Sequence, residues 1–114
     1  MAHDRSEILQ GTLELLILKT LSLEPMHGWG IAQRIQQRSQ DIFQVNQGSL
    51  YPALERMKSK GLIVSEWRTS ENNRRARYYR LTAAGRRQLA AGRSEWERSS
   101  SAVSWILDWN GGTA

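Results

Sequence analysis

The stretch from Val45 to Leu81 leaves the chain that carries it little freedom. It runs Val-Asn-Gln-Gly-Ser-Leu-Tyr-Pro-Ala-Leu-Glu-Arg-Met-Lys-Ser-Lys-Gly, continues through two short alternating segments around a polar turn, and leads into Leu-Thr-Ala-Ala-Gly. Asn46 suits a helix N-cap, because its side-chain oxygen can accept an unpaired N–H of the first turn. Leu50, Leu54 and Met57 fall at i, i+4 and i+7, which makes one buried face. Gly61 stands where a C′ glycine belongs, after Lys58-Ser59-Lys60, whose charge suits the negative end of the helix dipole. Proline is tolerated in a first turn, so Pro52 predicts a helix that begins near Gly48 or bends there.

Leu62 to Arg68 and Ala76 to Leu81 alternate as strands do, and Ser70-Glu71-Asn72-Asn73 between them is turn-forming. Tyr79 and Leu81 share one face, expected inward, while Tyr78 and Arg80 face out. Arg74, Arg75 and Arg77 crowd the tip of this hairpin and the start of its second strand. A short amphipathic helix, a glycine stop, a hairpin with a basic tip and a new helix start spell a winged helix-turn-helix. The expected class is mainly α with a small β-hairpin (α+β).

Before this stretch, Leu9, Leu13, Leu16, Ile17 and Leu21 recur at helical spacing, with Leu15 and Leu18 widening the stripe. Such a helix lies deep in a core or lends part of its surface to an oligomer contact. Pro25 ends it, and His27-Gly28 turns the chain into a second helix, about Trp29 to Ser39, with Ile31, Ala32 and Ile35 inside. Gly30 there costs on the order of 1 kcal/mol of helix propensity, which a close helix–helix approach would explain. Phe43, in the loop that follows, is expected to plug the core. After the hairpin, Thr82 caps a long last helix, and Gly85 is expected to let it approach the sheet closely. Leu89, Trp96 and Val103 follow at a spacing of seven, with Ile106 and Leu107 extending the seam. Gly92 and Ser99-Ser100-Ser101 weaken that helix in isolation, so it needs tertiary or intersubunit support. The expected organisation is a winged-helix unit over 1–81, a dimerisation helix over 82–109 packed on the same domain, and a disordered tail over 110–114.

Composition narrows the function. The 114 residues suffice for one domain, and an apolar share of 39% leaves much surface for solvent or a partner. The net charge is +5, and its excess is local: nine arginines stand between Arg68 and Arg98 against three glutamates. A charge run is commonly a solvated face, but clustering on the hairpin favours a polyanion. No cysteine is present, which removes disulfides and thiolate metal sites. The first residues have no apolar signal core and no apolar run approaches membrane-spanning length, so a cytoplasmic protein without a membrane partner is expected. No phosphate loop, nucleophile elbow or paired-carboxylate motif stands out, and His3 and His27 have no metal-ligand spacing. Neither an enzyme nor a bound metal or cofactor is expected.

The third helix has an outward face of Gln47, Ser49, Tyr51, Glu55, Arg56 and Ser59, rich in side chains that hydrogen-bond base edges and phosphates. With Pro52 at that surface, and Asn73, Arg74, Arg75 and Arg77 in the hairpin, these are the candidate DNA-binding residues. An ordinary solvated face and an edge blunted against aggregation are the competing explanations. Leu9, Leu13, Leu89, Trp96, Val103, Ile106 and Leu107 are the candidates for a dimer interface or a ligand site. Of the five tryptophans, Trp29 and Trp67 are expected in core or domain-surface packing. Trp96, Trp105 and Trp109 suit a dimer contact or the wall of a flat aromatic pocket.

The chain resembles the short, single-domain members of the PadR family of bacterial transcriptional regulators. The resemblance rests on Gly11-Thr-Leu-Glu-Leu-Leu-Ile-Leu18, Met26-His-Gly28 with Ile31, Asn46-Gln-Gly-Ser-Leu-Tyr-Pro-Ala-Leu54, Lys60-Gly-Leu-Ile63, and Arg77-Tyr-Tyr-Arg-Leu-Thr82 with Gly85. Trp29 departs from it, since the family commonly has Tyr there. The resemblance implies a homodimer, binding to a double-stranded DNA operator, and usually repression. It also implies that the effector-binding helical domain of longer members is absent. Some short members bind flat aromatic drugs between subunits through a Trp of the last helix, and Trp96 is similarly placed. The reading is therefore a homodimeric repressor. Its alternatives are a multidrug sensor with an aromatic pocket at the dimer centre and a winged-helix protein-interaction module.

Overall fold

A computed structural model of the protein describes residues 12–113. The elements run α1 (Leu13–Leu23), β1 (Met26–His27), α2 (Gly28–Arg38), α3 (Gln47–Ser59), β2 (Ile63–Thr69), β3 (Arg75–Leu81) and α4 (Ala83–Asp108). The sheet is antiparallel in the order β1-β3-β2, with Met26 opposite Tyr79 and Ile63 opposite Leu81. The hairpin and the α+β class follow the sequence expectation. The third strand was not anticipated, because two residues carry no alternation of their own and β1 exists only by pairing with β3.

Helices α1, α2 and α3 close over the inner end of the sheet. Ile17, Ile31, Leu50, Leu54, Met57 and Ile63 are its fully buried centre, with Phe43 and Leu89 packed at the margin. Thr20 is buried among them at no hydrogen-bond cost, since its hydroxyl donates to the Leu16 carbonyl at 2.8 Å. Leu13, expected at an interface, belongs to this core at 4% exposure. The α1 stripe turns it inward together with Ile17 and Leu21, so it is unavailable to a partner. Leu9 lies outside the described residues.

Local chemistry fixes the ends of the helices. His27 caps α2, its Nδ1 accepting from the Gly30 N–H at 3.0 Å. Gly30 therefore faces the cap ring, and the atoms nearest an added Cβ there belong to His27 and Met26. The close approach is at Gly28, where an added Cβ would meet the Tyr51 hydroxyl at 2.6 Å. Asn46 Oδ1 accepts from the Ser49 N–H at 2.9 Å, as an N-cap should. The C-terminus of α3 is a Schellman stop. Gly61, at φ 75°, donates to the Lys58 carbonyl at 2.9 Å, and Leu62 donates to that of Met57 at 3.0 Å. α3 begins at Gln47, beside the expected Gly48, and Pro52 lies inside it with no N–H to give the Gly48 carbonyl.

Thr82 joins three elements. Its hydroxyl lies 2.7 Å from the Gly61 carbonyl and 3.0 Å from that of Leu62, and it accepts from the Gly85 N–H at 3.0 Å. An added Cβ on Gly85 would fall onto the Leu62 carbonyl oxygen, so glycine is what lets α4 lie this close to the root of the hairpin. Beyond that root α4 has little cover. Trp96, Val103, Trp105, Ile106 and Leu107 are all exposed. After α4, Trp109 Nε1 donates to the Gly112 carbonyl at 2.6 Å, folding residues 110–112 into a turn.

Candidate nucleic-acid interface

Leu50, Ala53, Leu54 and Met57 hold α3 down, which leaves Gly48, Pro52, Glu55 and Ser59 opposite them at 3.6 residues per turn. This outermost ridge is low, since Gly48 and Pro52 keep side-chain bulk from the N-terminal half of the helix. Gln47, Tyr51 and Arg56 are exposed on its flanks, and Ser49 is half-buried. The two flanks are not equally free. Tyr51 lies over Gly28 with its hydroxyl end, while Arg56 turns toward α1 and places Nε 3.2 Å from Glu14 Oε2.

The hairpin turns through Ser70–Arg74, closed by the Ser70 N–H on the Arg74 carbonyl at 2.6 Å. Asn73 takes the left-handed conformation at φ 58°, which asparagine tolerates better than most residues. Arg75 and Arg77 point to the face that buries Tyr79 and Leu81 nearer the root. Out here that face is uncovered, and Trp67 supplies the surface. The guanidinium carbons of Arg75 and Arg77 lie 5.2 and 5.0 Å from its ring centroid, within cation–π range. Arg77 also donates to Ser65 Oγ at 3.0 Å. Trp67 is therefore a surface platform, the domain-surface alternative of the sequence reading, and the cross-strand register Trp67–Arg77 is what reveals its arginine partners. Arg74 stands exposed at the tip. Among the described residues no carboxylate lies within ion-pair distance of Arg74, Arg75 or Arg77.

On the opposite face His27 meets Tyr78 edge-on at 5.2 Å and stacks against Trp29 at 6.2 Å. Burial, reinforced by neighbouring Tyr51, pushes the Tyr79 phenol above the ordinary tyrosine range. Trp96 belongs elsewhere, to a cavity of about 660 Å³ between α1 and α4 that Leu15, Leu18 and Glu14 also line. Half-buried Leu89 packs on the core, so the seam expected over Leu89 to Leu107 is uncovered from Trp96 onward. Among the described residues no cluster of three or more His, Asp or Glu could hold a metal, and no helix is long and apolar enough to cross a membrane.

A helix held on one side, with a shorter helix before it and a basic hairpin after it, defines a winged-helix DNA-binding protein. The chain belongs to the PadR-like family of transcriptional regulators, whose model matches residues 17–91. It is 34% identical over 91 residues to a transcriptional regulator of Mycobacterium tuberculosis, covering 80% of this chain and 81% of that protein. A PadR-like transcriptional regulator from Bacillus cereus superposes with a TM-score of 0.78 at 30% identity, over 92% of this chain and 100% of the other. A transcriptional regulator from Clostridium thermocellum shares the fold with a TM-score of 0.81 at 24% identity, over 90% of this chain and 100% of that one.

Proposed function

We propose that the protein is a homodimeric, sequence-specific repressor that acts in the cytoplasm on double-stranded operator DNA. In this reading α3 enters the major groove, with Gln47, Ser49, Tyr51 and Arg56 at base edges and adjoining phosphates and Pro52 on the approaching ridge. The hairpin, through Asn73, Arg74, Arg75 and Arg77, grips the backbone beside it. The observation that carries the reading is the pairing of a one-sided α3 with a wing in which Arg74, Arg75 and Arg77 have no carboxylate within ion-pair distance among the described residues. The uncovered surface of α4 supports a dimer, because a row of Trp96, Val103, Ile106 and Leu107 in water is what a second copy would cover. Two-fold symmetry then requires a roughly palindromic operator.

The test is duplex binding by Arg74→Ala plus Arg75→Ala over a salt series. Each lost phosphate contact removes about 0.9 from the slope of log K against log salt, so the pair lowers affinity on every sequence and flattens the slope by about 2. An unchanged slope removes the wing from the mechanism.

The cavity beside Trp96 favours a second reading, in which a small aromatic effector bound there controls DNA affinity. Quenching of tryptophan fluorescence by planar dyes, lost in Trp96→Ala, would support it.

A further inference from the structure

Glu14 lies in the first turn of α1, yet its carboxylate serves α3. Oε2 stands 3.2 Å from Arg56 Nε and Oε1 3.5 Å from Lys60 Nζ, so each oxygen holds a different cation. Neither pair is an accident of one helix surface, since 42 and 46 residues separate the partners. The third cation of this segment, Lys58, pairs with Glu55 at 3.8 Å. Each cation of α3 and its C-cap thus has a carboxylate within 4 Å, two carboxylates serving three cations, whereas Arg74, Arg75 and Arg77 of the wing meet none among the described residues. Positive charge that could meet phosphate is left unpaired at the tip of the wing and largely offset on the helix that the proposed reading sets in the groove.

We propose that Glu14 is a specificity-determining residue, one that withholds Arg56 and Lys60 from sequence-independent phosphate contact. The inference rests on the DNA-binding reading above. A phosphate contact needs no particular sequence, and at 0.1 M salt counterion release is worth up to about eightfold in affinity per contact. Two freed cations on the groove-facing helix would hold it against any duplex. A protein lying loosely on random DNA can adjust to collect such contacts. A protein seated in its operator has its flanks fixed, and gains less. With both cations held, docking of α3 is decided by its neutral polar side chains and by fit, and Arg56 leaves Glu14 only where a base edge or phosphate of the seated operator lies in its reach.

The test compares wild type with Glu14→Gln on two probes, a random-sequence duplex and a duplex selected from a random pool for tight binding. Exposed ion pairs contribute little to folding, so the variant remains folded, and circular dichroism confirms it. On the random duplex, Glu14→Gln binds roughly tenfold tighter with a salt slope steeper by about 1 to 2. On the selected duplex the gain is smaller, so the ratio between the two falls. In an Arg56→Gln plus Lys60→Gln background, adding Glu14→Gln leaves the slope where it was. The proposal is overturned by an unchanged slope, by equal gains on both probes, or by the same steepening in the double-variant background, which would mark general loss of negative charge. If wild type binds no duplex at low salt, the DNA-binding reading falls and this one with it.

Discussion

Gly85→Ala is expected to loosen the protein even though alanine is the better helix former. The substitution gains about 1 kcal/mol of helix propensity within α4. Against this, the new methyl group lands on the Leu62 carbonyl oxygen, which is backbone and cannot swing aside. That oxygen already accepts from the Thr82 N–H at 3.1 Å and lies 3.0 Å from the Thr82 hydroxyl. To make room, α4 must lift and carry Thr82 with it. Forcing a methyl group into a packed site costs about 1–3 kcal/mol, and losing the cap costs about 1 kcal/mol more. The net destabilisation is about 1–3 kcal/mol, a fall in Tm of roughly 5–15 °C for a domain of this size. Gly92→Ala is the internal control, because there the added Cβ meets only the Leu15 Cδ1 at 2.9 Å, the end of a side chain that can rotate away. That variant should stay within about 1 kcal/mol of wild type. Thermal melts at one protein concentration decide the matter, since the Tm of a protein that self-associates depends on concentration. A Gly85→Ala protein as stable as wild type, or an equal loss at Gly92, would refute the reasoning.

Asn46→Ala removes the α3 cap and should cost about 1 kcal/mol, measured by urea denaturation; no loss would mean that the Asn46–Ser49 bond contributes nothing. The raised Tyr79 pKa means the folded state holds that proton more tightly than the unfolded chain. Its stabilisation is therefore full below about pH 10 and lost as the pH rises through the raised value. Tyr79→Phe should accordingly lose less stability than wild type as the pH is raised beyond the ordinary tyrosine pKa of about 10, and parallel curves would show that another group governs alkaline unfolding. Trp96→Ala should weaken self-association in sedimentation, where an undiminished dimer would exclude that residue from the contact.

What the sequence made legible was local. The Asn46 and Thr82 caps, the Gly61 stop and the left-handed Asn73 each depend on a few neighbouring residues, and each stands in the structure as its residue type suggests. The inward Tyr79 and Leu81 followed from the period of a strand. Features that depend on distant segments stayed hidden. Gly28 rather than Gly30 is the point of close approach because Tyr51, far along the chain, lies over it. Arg56 reads as a free groove-facing cation until Glu14 comes beside it through folding. Leu13 and Trp96 both belong to apolar spacings, and spacing alone cannot tell the wall of the core from a face left uncovered.

The contact of Thr82 with Gly61 and Leu62 ties the end of α3, the root of the wing and the start of α4 at one point. No flexible linker separates the helix proposed to read DNA from the arm that extends away from it. The 26 residues of α4 reach about 39 Å, so a tilt of only 5° at that junction moves the far end by about 3.4 Å. One base step along DNA is the same length. In a dimer joined along that arm, the distance between the two half-sites becomes a matter of leverage, and a single methyl group near the fulcrum could change the spacing of the operator without touching a residue that meets a base.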